Sequence, residues 1–263
     1  MIPKLHMDFI QNALRVIPSD ERLIGLAAGG SLLSQMDEFS DLDLVFAVEP
    51  SAYHEVMAHR SVIANGLGRL LSGFTGEHVG EPRLLICLYD GPLHVDLKFV
   101  SLDDVEVRVE DPRVLWDRDG RFAAALSRGR GSWPQPDLQW IEDRFWVWIH
   151  YATTKAGRGE LFETMDFLAF LRGNVLGPLA AKIAGHRPTG VRRLESVAPH
   201  WLPAFQATVA RHDRESCFDA IFAAADLYRK LQNELAPGNL QRRIEAERTA
   251  LAYLKRLSTH TGG

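Results

Sequence analysis

The chain has 263 residues, 46% hydrophobic and 24% charged, which is the balance of a globular protein with room for two modest domains. A net charge of −4 leaves no basic excess for binding duplex DNA or an anionic membrane. The two cysteines, Cys87 and Cys217, lack zinc-site spacing and predict buried thiols of a cytoplasmic protein. We expect no signal peptide in the first residues, and no apolar run approaches the roughly 20 residues that span a membrane.

Helices and strands alternate in the first half of the sequence. Apolar residues at helical spacing predict a helix over residues 7–16. The apolar run at 23–30 ends in two glycines and predicts a strand that enters a turn. Residues 41–48 alternate and then become wholly apolar, which predicts a strand that is buried on both faces at its far end.

A helix and a hairpin are predicted next. Ser51 can cap a helix that runs to about Leu71, with a break near Gly66. The segments 83–89 and 93–100 have strand character, and a short Asp-Gly-Pro sequence separates them. This arrangement predicts two strands joined by a tight turn.

The second half changes character after a Gly- and Pro-rich stretch at 127–137. From there aromatic and aliphatic residues recur at spacings of three and four, which predicts helices over 138–185, 200–211, 215–235 and 239–257. The predicted domains are therefore 1–128 and 137–263. The predicted fold class is α+β, with a mixed β-sheet and flanking helices followed by a helical bundle.

Three acids of the first domain lie in predicted strands, where packing of the core gives no reason for a charged side chain. Alternation along a strand places Asp41 and Asp43 on one face, and two adjacent carboxylates repel each other unless a cation lies between them. Asp96 lies within the apolar strand 93–100, on one face with His94 and Lys98. If the two strands are neighbours, the three carboxylates form a site for two Mg²⁺ ions, which prefer hard oxygen ligands.

The Gly-Gly-Ser sequence at 29–31 complements these acids. Glycines at Gly29 and Gly30 allow close approach of a ligand, and successive backbone N–H groups cradle an anion. Ser31 adds a hydroxyl donor. A phosphate group bound there, close to metal-binding acids, is the arrangement expected for a nucleoside triphosphate with its Mg²⁺.

This pattern resembles the DNA polymerase beta-type nucleotidyltransferase superfamily, in which a Gly-Ser turn precedes Asp-x-Asp and a single acid on a later strand. The helical second half and the size are similar to the small aminoglycoside and lincosamide nucleotidyltransferases. The segment DPRVLWDRDG at 111–120 also resembles the segment that follows the third acid in those enzymes. Many members carry a glycine three residues after the serine, whereas this chain has Ser34.

The resemblance implies an enzyme that transfers a nucleoside monophosphate, AMP from ATP being the expected case, to a hydroxyl of a small molecule and releases pyrophosphate. It implies that Asp41, Asp43 and Asp96 are the catalytic and metal-binding residues for two Mg²⁺ ions. The nucleotide-binding residues would be Gly29, Gly30, Ser31 and Lys155, because the family places a lysine of the first long C-terminal helix against the triphosphate.

Other interpretations remain open at this level. Acids on a strand can form a solvated face, Lys155 can be a solvated helix residue, and Arg158 competes for the same role. A non-catalytic nucleotide-binding or regulatory protein could share the fold. A protein or an RNA end could be the acceptor, although the sequence has no basic stripe for RNA. No motif specifies the acceptor, the preferred nucleotide or the oligomeric state.

Overall fold

The computed structural model describes residues 2–34, 36–235 and 238–259. It divides into two compact units, Met1–Trp133 and Pro134–Gly263. Each unit has its own hydrophobic core. The first contains a mixed six-stranded sheet with flanking helices and the second is helical, which confirms the predicted α+β class.

The sheet of the first unit has the strand order β3-β4-β5-β2-β1-β6. Only β2 and β5 pair in parallel among these strands, and the other neighbours are antiparallel. The strands are β1 Leu23–Ala28, β2 Leu42–Val48, β3 Leu70–Gly76, β4 Glu81–Tyr89, β5 Leu93–Ser101 and β6 Arg113–Asp117. The central β2 and β5 carry Asp43 and Asp96, and Asp41 immediately precedes β2.

The two faces of the sheet are packed differently. Helices α1 (Lys4–Val16) and α2 (Tyr53–Gly66) contribute to the main core on one face. That core takes the alternate residues of the central strands, Leu42, Leu44, Phe46, Val95, Leu97 and Phe99. A smaller cluster with Phe122 of α3 (Arg121–Leu126) packs on the other face. The side chains of Asp43 and Asp96 belong to this second face, because side-chain direction alternates along a strand.

One prediction for this unit is wrong. The helix expected to continue to about Leu71 ends at Gly66, and residues 70–76 form strand β3. This strand lies at the edge of the sheet, and its Leu71 and Phe74 are half exposed. Because an edge strand buries little on either face, its sequence lacks the alternation that identifies a strand.

The predicted hairpin is confirmed. Strands β4 and β5 pair in antiparallel fashion around a turn in which Gly91 has a φ of +105°. The predicted strand at 41–48 is confirmed as Leu42–Val48, and its last three residues are buried.

The second unit is built around α4, whose first turn is capped by the Asp137 side chain and whose end is marked by Gly159 with a φ of +78°. Phe145 of α4 stacks on Tyr228 of α9 with ring centroids 3.7 Å apart. The described helices are α4 Leu138–Arg158, α5 Leu161–Leu171, α6 Gly177–Ile183, α7 Leu194–Val197, α8 Leu202–Ala207, α9 Arg214–Leu235 and α10 Ile244–Ser258. A search of the described residues finds no helix with the length and apolarity to cross a membrane.

The pairing of β2 with β5 can be tested from its core side. Phe46 and Phe99 are partners in this register, and their rings stack 4.9 Å apart. We expect Phe99→Ala to lower the free energy of unfolding by about 3–5 kcal/mol, because it leaves a cavity in the main core. The measurement is urea unfolding, with the 87% exposed Phe39 changed to Ala as the control. The control should stay within about 0.5 kcal/mol of wild type. A loss below about 1 kcal/mol for Phe99→Ala would contradict the packing described.

Candidate functional site

The register of the parallel strands brings two predicted acids together. Asp43 of β2 is the direct partner of Asp96 of β5. Neighbouring strands lie about 4.8 Å apart, so the two side chains leave the same face of the sheet side by side. Both residues are partly buried, whereas their neighbours along each strand are buried in the main core.

The glycine turn lies directly against one of these acids. Gly30 has a φ of +56°, in the left-handed region, and the Gly29 N–H donates to the Asp43 carbonyl at 2.9 Å. A Cβ added at Gly30 would overlap Oδ2 of Asp43 and lie 2.9 Å from its Cγ. The turn therefore depends on glycine both for its backbone conformation and for the space that the carboxylate occupies.

Ser31 and Asp41 meet at the same end of the sheet. Ser31 follows Gly30 in a 3₁₀ turn, and its hydroxyl donates to the Asp41 carbonyl at 3.3 Å. Asp41 comes immediately before β2. The preceding residue, Ser40, is held by the buried His6, whose Nε2 lies 2.7 Å from the Ser40 carbonyl oxygen. The chain that leads to the acids is thus tied to both the turn and α1.

The donor set suits a hard divalent cation. Among the described residues, no group of three or more His, Cys, Asp and Glu side chains is arranged to hold a metal ion. The pair that the register does bring together, Asp43 and Asp96, supplies carboxylate oxygens. Mg²⁺ in proteins is commonly held by one or two carboxylates, with its other positions left to water and to phosphate oxygens of the substrate. The residues present therefore fit Mg²⁺.

The strand β5 places basic side chains beside Asp96. Nε2 of His94 lies 3.0 Å from Oδ1 of Asp96. Lys98 is bound by Glu81, with Nζ 2.7 Å from Oε2. Hydrogen bonds from Arg83 and then from Lys98 together lower the pKa of Glu81 to about 2, against the effect of burial. The Lys98 ammonium is thus held by a carboxylate that stays ionised.

Sequence reasoning missed one acid of this region, Glu110. Its Oε1 accepts a hydrogen bond from the Gly30 N–H at 2.8 Å. Strand β6 pairs with β1, with Arg113 opposite Ala28, and this pairing brings the loop before β6 to the glycine turn. The sequence did not predict strand β6 or its pairing with β1. The position of Glu110 in the loop before β6 therefore could not be connected with the glycine turn.

Lys155, the remaining predicted site residue, belongs to the second unit. It lies near the end of α4, where Nζ is 2.6 Å from Oε2 of Glu160 and 5.2 Å from the centre of the Tyr151 ring. The hydrogen bond with Glu160 raises the pKa of Lys155. Arg158 lies 3.7 Å from the same glutamate. A role of Lys155 in nucleotide binding stays a prediction.

Comparisons with known proteins return only distant similarities. No protein-family model matches the sequence, and no curated protein matches it. An aminoglycoside 6-adenyltransferase from Bacillus subtilis is 16% identical over 98% of this chain and 99% of its own, with a TM-score of 0.41. A Thermotoga maritima CCA-adding enzyme complexed with tRNA is 12% identical over 98% and 70%, with a TM-score of 0.34. A CCA-adding enzyme in an apo form is 13% identical over 100% and 74%, also with a TM-score of 0.34. Similarity at this level carries no argument about activity, and function must be argued from the site itself.

The ion pair between Glu81 and Lys98 can be tested by measuring the stability of the protein as a function of pH. The pKa of Glu81 is about 2 in the folded protein, below its ordinary value of 4.5. Its stabilisation is therefore complete above pH 4.5 and is lost as the pH falls toward 2. We expect Glu81→Gln to lower the free energy of unfolding at pH 7 by about 1–2 kcal/mol, since the carboxylate is partly solvated. The difference from wild type, measured by urea unfolding, should shrink as the pH falls from 4.5 toward 2. The exposed Glu21, changed to Gln, serves as the control, and a difference independent of pH would contradict the assignment.

Proposed function

We propose that the protein is a Mg²⁺-dependent nucleotidyltransferase. It would transfer a nucleoside monophosphate, AMP from ATP in the expected case, to a hydroxyl group of a small molecule and release pyrophosphate. The expected acceptors are hydroxyl-rich compounds such as aminoglycosides or lincosamides, so that antibiotic modification is the expected biological outcome. We further propose a cytoplasmic location, which the two free and buried cysteine thiols support.

One observation carries this proposal. The carboxylates of Asp43 and Asp96 leave one sheet face from paired positions of parallel strands, and the left-handed Gly30 lies against the first of them. Carboxylates would bind cations, and the N–H groups of a glycine turn would bind an anion. A polyphosphate with its bound metal ion is a ligand that uses both the carboxylates and the N–H groups.

The nucleotide would be held at the turn. The backbone N–H of Gly30 and the hydroxyl of Ser31 are the donors proposed for the β- and γ-phosphates. Gly29, whose N–H is bound to the Asp43 carbonyl, is proposed to let the nucleotide approach the backbone closely. Lys155 is proposed as a further cation for the triphosphate. Using Ser31 in this way requires its hydroxyl to leave the Asp41 carbonyl, to which it donates at 3.3 Å.

Asp41 and Asp43 are the proposed ligands of both metal ions, and Asp96 of the ion nearer the acceptor. These three side chains do not form a metal-binding group in the structure, so binding both ions would require the Asp41 carboxylate to move toward the Asp43–Asp96 pair. Bound Mg²⁺ would lower the pKa of the acceptor hydroxyl and neutralise charge on the departing pyrophosphate. The acceptor oxygen forms a bond to the α-phosphorus while the bond from that phosphorus to the bridging oxygen of the β-phosphate breaks. Asp96 is proposed to accept the hydroxyl proton, with His94 at 3.0 Å orienting its carboxylate.

Replacing Asp43 distinguishes an enzyme from a nucleotide-binding protein. Asparagine has nearly the volume of aspartate but no charge, so Asp43→Asn should keep β2 packed and lose a metal ligand. We expect pyrophosphate release to fall by at least about 10²–10³-fold, because several kcal/mol of transition-state stabilisation are removed. Affinity for the nucleotide should fall less than about tenfold, since the donors of the turn remain.

The assay is a pyrophosphate-release screen of the four nucleoside triphosphates against a panel of hydroxyl-bearing antibiotics and metabolites. Asp90→Asn is the matched control, because Asp90 lies in the β4–β5 turn, where Asn-Gly is equally suitable. If wild type binds Mg-ATP but releases no pyrophosphate with any acceptor, the protein is a nucleotide-binding module and the transferase proposal is wrong.

A pair of glycine substitutions tests the phosphate cradle. Gly30 and Gly80 both have a left-handed φ, but a Cβ at Gly80 would meet nothing within 4 Å. Each change to Ala should therefore cost about 1–2 kcal/mol of stability, and only Gly30→Ala should displace the Asp43 carboxylate. We expect Gly30→Ala to abolish Mg-ATP binding in calorimetry, because the added Cβ would also push the triphosphate away from the turn, and Gly80→Ala to leave binding unchanged. Equal affinities for the two variants would show that the turn holds no phosphate.

A further inference from the structure

The anion cradle at Gly30 already contains an anion from the protein itself. The Gly30 N–H donates to Oε1 of Glu110 at 2.8 Å. The same oxygen would lie 2.9 Å from a Cβ added at Gly29, so the carboxylate rests against both glycines of the turn. A carboxylate oxygen and a phosphate oxygen are equivalent acceptors for such an N–H group.

The backbone that carries Glu110 is held firmly in place. The guanidinium of Arg108 donates to the carbonyls of Leu126 and Gly129 and to Oδ1 of Asp111. Asp111 in turn accepts the Gly131 N–H at 2.8 Å, and a Cβ at Gly131 would lie 2.5 Å from the Glu110 backbone. Residues on both sides of Glu110 are therefore anchored, and the loop directs the Glu110 side chain toward the turn.

We propose that Glu110 is an internal competitor for the phosphate site. In the free protein its carboxylate holds the Gly30 N–H, and a polyphosphate must displace the carboxylate to bind there. Only the side chain has to rotate, since the backbone around it is anchored. This inference rests on the proposed nucleotide site and adds a residue that sets its affinity.

The proposal fixes the direction of a mutational effect. A ligand that binds only when a competing contact is open binds with an affinity reduced by the fraction of open molecules. A single hydrogen bond to a carboxylate can keep that fraction near one in ten. Removing Glu110 should therefore tighten binding about tenfold, whereas removing a residue that merely supports the turn would weaken it.

The test is calorimetric titration of the full-length protein with inorganic pyrophosphate and, separately, with Mg-ATP. We expect Glu110→Ala to bind both about tenfold more tightly than wild type, and Glu110→Gln, which keeps an acceptor oxygen but loses the charge, to show a smaller gain. Glu106→Gln is the matched control. It removes one charge from the same loop at a residue whose Oε2 lies 3.3 Å from Nε of Arg128. Its affinity should equal that of wild type.

The outcomes separate this inference from the function on which it rests. Unchanged or weaker binding by Glu110→Ala, with wild type binding and thermal unfolding intact, overturns the competition and leaves the nucleotide site standing. If Glu110→Ala does not fold, unchanged affinity of Glu110→Gln overturns it in the same way. Absence of binding by wild type and every variant removes both the nucleotide site and the inference.

Discussion

The parallel pairing of β2 with β5 is the constraint on which the rest of the first unit depends. This register sets Asp43 beside Asp96 on one face and stacks Phe46 on Phe99 on the other. Because side chains alternate, a slip of one residue in either strand would bury a carboxylate in the main core and expose a phenylalanine. The core side therefore enforces the geometry of the polar side, and the hydrophobic free energy of the unit determines where its charges lie.

The position of the glycine turn follows from the pairing of β1 with β2. Strand β1 runs antiparallel to β2, so the turn after β1 lies beside Asp43, and the Gly29 N–H is bound to the Asp43 carbonyl. Only a glycine at position 30 leaves space for the carboxylate. The backbone of the glycine turn and the carboxylate of Asp43 thus lie directly against each other. An anion bound at the turn would be repelled by the Asp43 carboxylate unless a cation lay between them.

Two strands outside the central β2–β5 pair, β6 and β4, bring further charged residues to this face. Pairing of β6 with β1 delivers Glu110 to the glycine turn, while β4 brings Glu81 to the ammonium of Lys98. The first contact places a carboxylate where an anionic ligand would bind, and the second neutralises a cation on the face of the acids. The chain therefore adjusts the charge of the site through residues that lie outside the motif.

The sequence by itself determined the elements whose patterns are local. Alternation in 41–48 and 93–100 identified both central strands and the common face of His94, Asp96 and Lys98, and the Gly-Gly-Ser sequence identified the turn. Tertiary structure alone decided which strands are neighbours, because hydrogen bonds between strands join residues far apart in sequence and leave no local pattern. That is why β3 at the sheet edge was not predicted and Glu110 was overlooked. For the same reason the pairing of Asp43 with Asp96 could be expected, but only the folded chain could establish it.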